Sequence, residues 1–160
     1  MYLVNKNSNY MKKIIFFIFI MPLTILFSQN TNNIEINITN LKSAKGTIRV
    51  SLFTKSNEDA FPSDKDKAYK IYKFKIDSKT QTFVLENLPY DEYAFSIHHD
   101  EDGNNKLNKN WIGMPKEGLG ASNNARGNFG PPSYKQAKFK LTDKPNSHKI
   151  ELYYPWKKRK

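Results

Sequence analysis

From about residue 30 onward, apolar and polar residues alternate along most of the chain. "NIEINIT" sets Ile34, Ile36 and Ile38 on one face, and "GTIRVSLFT" does the same with Ile48, Val50 and Leu52. "KAYKIYKFKI" offers Tyr72, Phe74 and Ile76, and "QTFVLENL" offers Phe83 and Leu85. "EYAFSIHH" aligns Tyr93, Phe95, Ile97 and His99. Near the end, "KQAKFKLT" gives Ala137, Phe139 and Leu141, and "SHKIELYY" gives Ile150, Leu152 and Tyr154. A period of two buries one face and wets the other, as in antiparallel sheets. Seven such segments, parted by turn residues, predict an all-β fold: a seven-stranded antiparallel Greek-key sandwich around one core. The only short helix expected lies near "NEDAFPSDKDKA".

One stretch breaks the rhythm. Residues 103–133 are rich in Gly, Asn and Pro and show no period, which predicts a long loop between the fifth and sixth strands. Loops of this length inside a compact domain are more often functional than idle. Leu107, Trp111, Ile112, Met114, Leu119 and Phe129 lie within it. They are expected to pack the loop onto the sandwich as an ordered flap.

The N-terminus belongs to a different class. Lys12 and Lys13 precede an apolar run from Ile14 to Phe27, interrupted by Pro22 and Thr24 and followed by Ser28. This is the pattern of a secretory signal, with Met11 as an alternative start. Residues 1–28 are therefore set aside from the fold, 29–154 form the sandwich, and 155–160 form a basic tail. No second apolar run exists, so no transmembrane segment is expected after signal removal. The chain has no Cys, which rules out disulfide staples and a lipid-modified N-terminal Cys. Together these features place the protein in the periplasm or outside the cell.

The net charge is +11, and three of the lysines lie in the first 28 residues. Such a balance can favour polyanions. Here the lysines alternate along strands such as "KFKI" and "KFKL", on faces expected to be solvated. Nucleic acid is not expected as a partner; an envelope protein or a polysaccharide is.

The acidic turn "DEDGNNKLN" after the fifth strand carries the most chemistry. Asp100, Asp102 and Asn104 supply oxygens at alternate positions, as in the first half of a calcium loop. Lys106 stands where such a loop lends a backbone carbonyl, and Asn108 lies further on. The pattern fails at its twelfth position, where Trp111 replaces the bidentate carboxylate. Asn105 replaces the glycine of position six, although Asn is the next best residue at positive φ. Glu117 closes the shell only if the flap folds back. Two readings stay open: a weak Ca²⁺ site, in the range of about 10⁻⁴ to 10⁻³ M, and an Asx-rich turn that satisfies its own backbone.

Other chemistry is thin. His98 and His99 are adjacent on a strand and point to opposite faces, so they cannot chelate one ion together. His99 is expected to end the core and bond a loop backbone. No Cys nucleophile, G-x-S-x-G or H-E-x-x-H is present. Arg126, one of three arginines, suits a carboxylate such as Glu117 or Asp100, or an anionic ligand. Asn123 and Asn124 are candidates to cap backbone or to hydrogen-bond a sugar.

Three stretches resemble a bacterial family of exported proteins filed as "domain of unknown function 2141": residues 46–62, 85–108 and 113–139. That family's turn reads HD-x-N-x-N-G followed by Leu and Asp. This chain keeps His99, Asp100, Asn104 and Leu107, and carries Asp102, Asn105 and Asn108 where the family has Asn, Gly and Asp. The resemblance implies an exported β-sandwich similar to transthyretin-like and carboxypeptidase-regulatory-like modules, and it implies no activity. The expected function is thus an exported, non-catalytic binding or accessory module. The alternatives are a small carbohydrate-active or hydrolytic domain using Asp100, His99 and Glu117, and a structural envelope protein.

Overall fold

The computed structural model describes residues 30–155. The proposed signal segment and the tail from residue 156 onward lie outside them. Eight strands are described: β1 (Thr31–Thr39), β2 (Thr47–Thr54), β3 (Lys70–Lys75), β4 (Gln81–Pro89), β5 (Glu92–Asp100), β6 (Gly118–Ala121), β7 (Phe139–Lys140) and β8 (Ser147–Glu151). They form two sheets, ordered β4-β1-β8 and β3-β2-β5-β6, with β7 also paired to β5. Among the described residues no helix is long and apolar enough to cross a membrane.

The alternation in the sequence becomes the core. Ile34, Ile36 and Ile38 of β1, Phe83, Leu85 and Leu88 of β4, and Ile150 of β8 face Ile48, Val50, Leu52, Phe95 and Ile97 of the other sheet. In β4 the buried set steps from Leu85 to Leu88, because the pairing register with β1 shifts there. Asn87 takes φ 55° at that bulge, and the extra residue re-aims Leu88 inward.

The strand count and the pairing depart from expectation. β8 runs parallel to β1, with Ile38 opposite Ile150, so the sandwich is not wholly antiparallel. The expected sixth strand begins instead as a helical turn, α1 (Tyr134–Ala137), and only Phe139–Lys140 pairs as β7. Ser133 and Gln136 explain the turn: the Ser133 N–H donates to Gln136 Oε1 at 2.9 Å, as in a capping box. The expected short helix near Pro62 is present as two 3-10 turns, Lys55–Ala60 and Lys65–Lys67.

The long loop is also more regular than expected, since it contains β6. Gly118–Ala121 pairs antiparallel with His99 to Ser96 of β5, and Leu119 exchanges backbone hydrogen bonds with Tyr153 at 2.9 Å each. A strand of Gly, Leu, Gly and Ala shows little β propensity, but Gly is what lets the backbone lie close. A Cβ at Gly120 would press on Ile150 and Leu152. β6 and β7 share one edge of β5, and Ser122 fills the gap between them. Its buried hydroxyl accepts from the Phe95 N–H at 3.1 Å and donates to the Ala137 carbonyl at 2.7 Å.

The flap is held mainly by small residues; of the six apolar anchors expected, Met114 and Leu119 are half-buried and the other four are exposed. Ala121, Ala125, Tyr134 and Ala137 close over Phe53, Phe61 and Ala94 in a second cluster on the outer face of the larger sheet. Trp111 is 95 % exposed and Phe129 fully so, while Ile112 and Leu107 are also exposed. Residues 108–116 instead form a tight hairpin, closed by Asn110 N–H to Met114 O at 2.8 Å and Lys116 N–H to Asn108 O at 2.8 Å. Trp111 and Ile112 stand at its tip, where no core is within reach.

Candidate functional site

β5 lies between β2 and β6, so the residues at its end are placed by ladders on both sides. His98 and His99 point to opposite faces, as strand geometry requires. His99 is fully buried at the rim of the core, with Nε2 2.9 Å from the Lys45 carbonyl and Nδ1 3.3 Å from the Tyr154 hydroxyl. His98 faces outward, and its Nε2 lies 2.8 Å from Glu117 Oε2.

The acidic turn folds on its own side chains. The Asn105 N–H donates to Asp100 Oδ2 at 2.9 Å, the Asn104 N–H to Asp102 Oδ1 at 3.1 Å, and the Lys106 N–H to Asn104 Oδ1 at 2.7 Å. Gly103 and Asn105 supply φ of 72° and 62°, which is where Asn substitutes best for Gly. These are the bonds of an Asx-rich turn. The Asn108 side chain, with help from the Asn104 backbone N–H, holds the Asp102 carboxyl below its usual range.

The flap does fold back. Glu117, 4 % exposed, reaches the turn just before β6. Its Oε2 accepts from the Asn108 N–H at 2.9 Å, and its Oε1 from the Glu101 N–H and Asn108 Nδ2 at 3.3 Å each. One oxygen each of Asp100, Asp102 and Glu117 lies within 4.8 Å of the other two. Asp100 is fully buried, and its Oδ1 has no hydrogen-bond partner among the described residues. A buried carboxylate oxygen without a donor costs free energy unless something else satisfies it. Three carboxylates brought this close suit a hard divalent cation.

The other candidate residues fall elsewhere. Asn104 and Asn108 border the cluster through Asp102 Oδ2, to which their amides donate at 2.9 and 2.8 Å. Lys106 is exposed. Asn123 and Asn124 spend their amides on backbone: Asn123 Nδ2 reaches the Lys138 carbonyl at 3.0 Å, and Asn124 Nδ2 the Lys149 carbonyl at 2.8 Å. Arg126 meets neither Glu117 nor Asp100. Its guanidinium lies over the Tyr153 ring, 4.8 Å from the centroid.

Strand alternation gives no sign of a cleft of about 1130 Å³ on the outer face of the larger sheet. Arg49 and Ser51 of β2 and Ser96 and His98 of β5 form part of its lining. Alternation marks these positions as wet, yet Arg49 and Ser51 are buried beneath the flap. The signal available was Arg49 itself, a rare arginine on a face otherwise served by lysine. His98 joins the cleft to the acidic cluster through Glu117.

No match to the chain is found among curated proteins or solved structures. Residues 36–149 match the family described as "Uncharacterized protein conserved in bacteria (DUF2141)", and the chain belongs to that family.

Proposed function

We propose that this protein is an exported, non-catalytic binding module whose acidic rim takes a calcium ion that fixes the flap to the end of β5. The observation that carries the reading is Asp100: its Oδ1 is buried with no hydrogen-bond partner among the described residues, and one of its carboxylate oxygens lies within 4.8 Å of oxygens from Asp102 and Glu117. Asp100 and Asp102 come from the turn and Glu117 from the flap, so an ion between them ties the two together. Asn104 and Asn108 steady the site by donating their amide N–H groups to Asp102 Oδ2. Export rests on the pattern of Lys12, Lys13 and the apolar run after them, and an envelope protein or a polysaccharide is the proposed partner class.

The hydrolytic alternative loses support from the geometry. Its His99 sits on the inner face with both ring nitrogens engaged, whereas Glu117 meets His98 on the opposite face of β5. Thermal melting in calcium and in chelator tests the cation. At ten times Kd, binding to the folded state alone adds about 1.4 kcal/mol, or roughly 4–6 °C for a domain of this size. Asp100→Ala abolishes the gain. Superimposable curves in the two buffers overturn the proposal.

A further inference from the structure

We propose that the cleft on the outer face of the larger sheet binds an anionic saccharide, whose carboxylate or phosphate is held by Arg49 and Arg126. The inference rests on reading the chain as a binding module and is independent of the rim cation.

Arg49 is the first ground. It is 7 % exposed, and among the described residues its Nη1 donates only to Asn105, to the carbonyl at 2.7 Å and to Oδ1 at 3.5 Å. Lys65 Nζ reaches the same carbonyl at 2.8 Å, and Lys73 Nζ the same Oδ1 at 2.7 Å. Three cations thus converge on one neutral residue. No carboxylate forms an ion pair with any of them among the described residues. A guanidinium withdrawn from water without a counter-ion is costly. Neutral acceptors offset part of that cost, and an anion entering the cleft would offset the rest.

Arg126 is the second ground. It lines the same cleft, and no described residue accepts a hydrogen bond from it or pairs with it. Its guanidinium carbon sits 4.8 Å from the Tyr153 ring centroid, and its planar fork of N–H donors suits bidentate capture of carboxylate or phosphate. The wall also carries Lys65 and Lys109, against a single carboxylate, Glu151. The field in the cleft is therefore positive.

The third ground is size and lining. A cleft of about 1130 Å³ exceeds what a bare phosphate or acetate fills and matches a ligand of several rings. Leu119, Met114 and Phe129 give it apolar surface, while Ser51 and Ser96 give it hydroxyls. Sugar rings present apolar faces and hydroxyl edges together, and an acidic group on one of them meets the arginines.

Calorimetric titration of the purified protein, in chelator, tests the assignment with three probes: a galacturonic acid trimer, glucose 1-phosphate and neutral maltotriose. The expected result is saturable binding of at least one acidic probe, weakened by added salt, with maltotriose much weaker. Binding by the uronate assigns a carboxylate ligand, and binding by the sugar phosphate assigns a phosphate. Arg126→Gln is expected to weaken the acidic probe by about tenfold or more with an unchanged melting temperature, and Arg126→Lys to restore it only in part. Arg126 is chosen because Arg49 is buried and its replacement can unfold the sheet. No binding of either acidic probe at millimolar concentration overturns the proposal, as does equal binding of maltotriose or an unaffected Arg126→Gln. If that happens while calcium still raises the melting temperature, only the ligand class falls.

Discussion

Replacing Glu117 by Gln separates two effects of similar size and opposite sign. The carboxylate accepts four hydrogen bonds, two short ones from His98 and the Asn108 N–H and two longer ones from the Glu101 N–H and Asn108 Nδ2. A glutamine oxygen can keep the short pair but loses their charge assistance, about 1 kcal/mol each. Its NH₂ then faces the two remaining donors, at a further ~1 kcal/mol each. Against this stands relief of repulsion. A buried neighbour such as Asp100, with an oxygen within 4.8 Å, repels Glu117 by about 3 kcal/mol at an effective dielectric near 20. Asp102 is exposed, and solvent screens its share. The two sums nearly cancel, so in chelator Glu117→Gln is expected to change stability by no more than about 1 kcal/mol. In calcium the variant also forfeits the ion's contribution, about 1.4–2.7 kcal/mol at ten to a hundred times Kd. Urea unfolding followed by circular dichroism, run in both buffers, measures the difference directly. An equal loss in calcium and in chelator refutes the reasoning.

Other outcomes follow from the same contacts. Ser122→Ala removes the hydroxyl that serves Phe95 and Ala137 in the gap between β6 and β7, and is expected to cost about 1–3 kcal/mol in a urea melt. Burial pushes His148 down to about 4, with its ring packed on Phe139 and Phe95. The neutral form is thus favoured by folding, so stability is fully present above about pH 6.5 and falls as pH drops toward 4. The partly exposed ring limits that loss to about 1–2 kcal/mol, and a stability–pH profile of His148→Gln should be flatter across that window. Trp111→Ala and Phe129→Ala, at fully exposed positions, are expected to leave stability within about 0.5 kcal/mol in the same assay.

Legibility in the sequence follows the physics of each part. The inner faces of β1, β2 and β5 were readable because an isoleucine or valine at every second position has one place to go. β6 was not, since Gly118 and Gly120 are chosen for what their missing side chains admit, which no periodicity records. The turn at Ser133 was signalled by Gln136 three residues on, but the apolar alternation beyond it pointed to a strand, and the local cap prevailed. In the flap, hydrophobicity misled: Trp111 and Phe129 look like anchors, whereas Ala121, Ala125 and Ala137 are small enough to seat the segment on Phe53 and Ala94. At the site, Asp100 and Asp102 were visible from their spacing and Glu117 only as a possible partner of a folded-back flap. The cleft was hidden because Arg49 and His98 occupy positions that strand alternation assigns to water, and only tertiary structure shows the flap above them.

The link between turn and flap depends on what meets Asp100 Oδ1. Crystals grown in calcium, with diffraction recorded for anomalous signal, give the most direct test. The expected result is a peak about 2.3–2.6 Å from Asp100 Oδ1, with oxygens of Asp102 and Glu117 in the same shell. A structure in which that oxygen instead shares a proton with Asp102, with no peak between the three carboxylates, contradicts the claim.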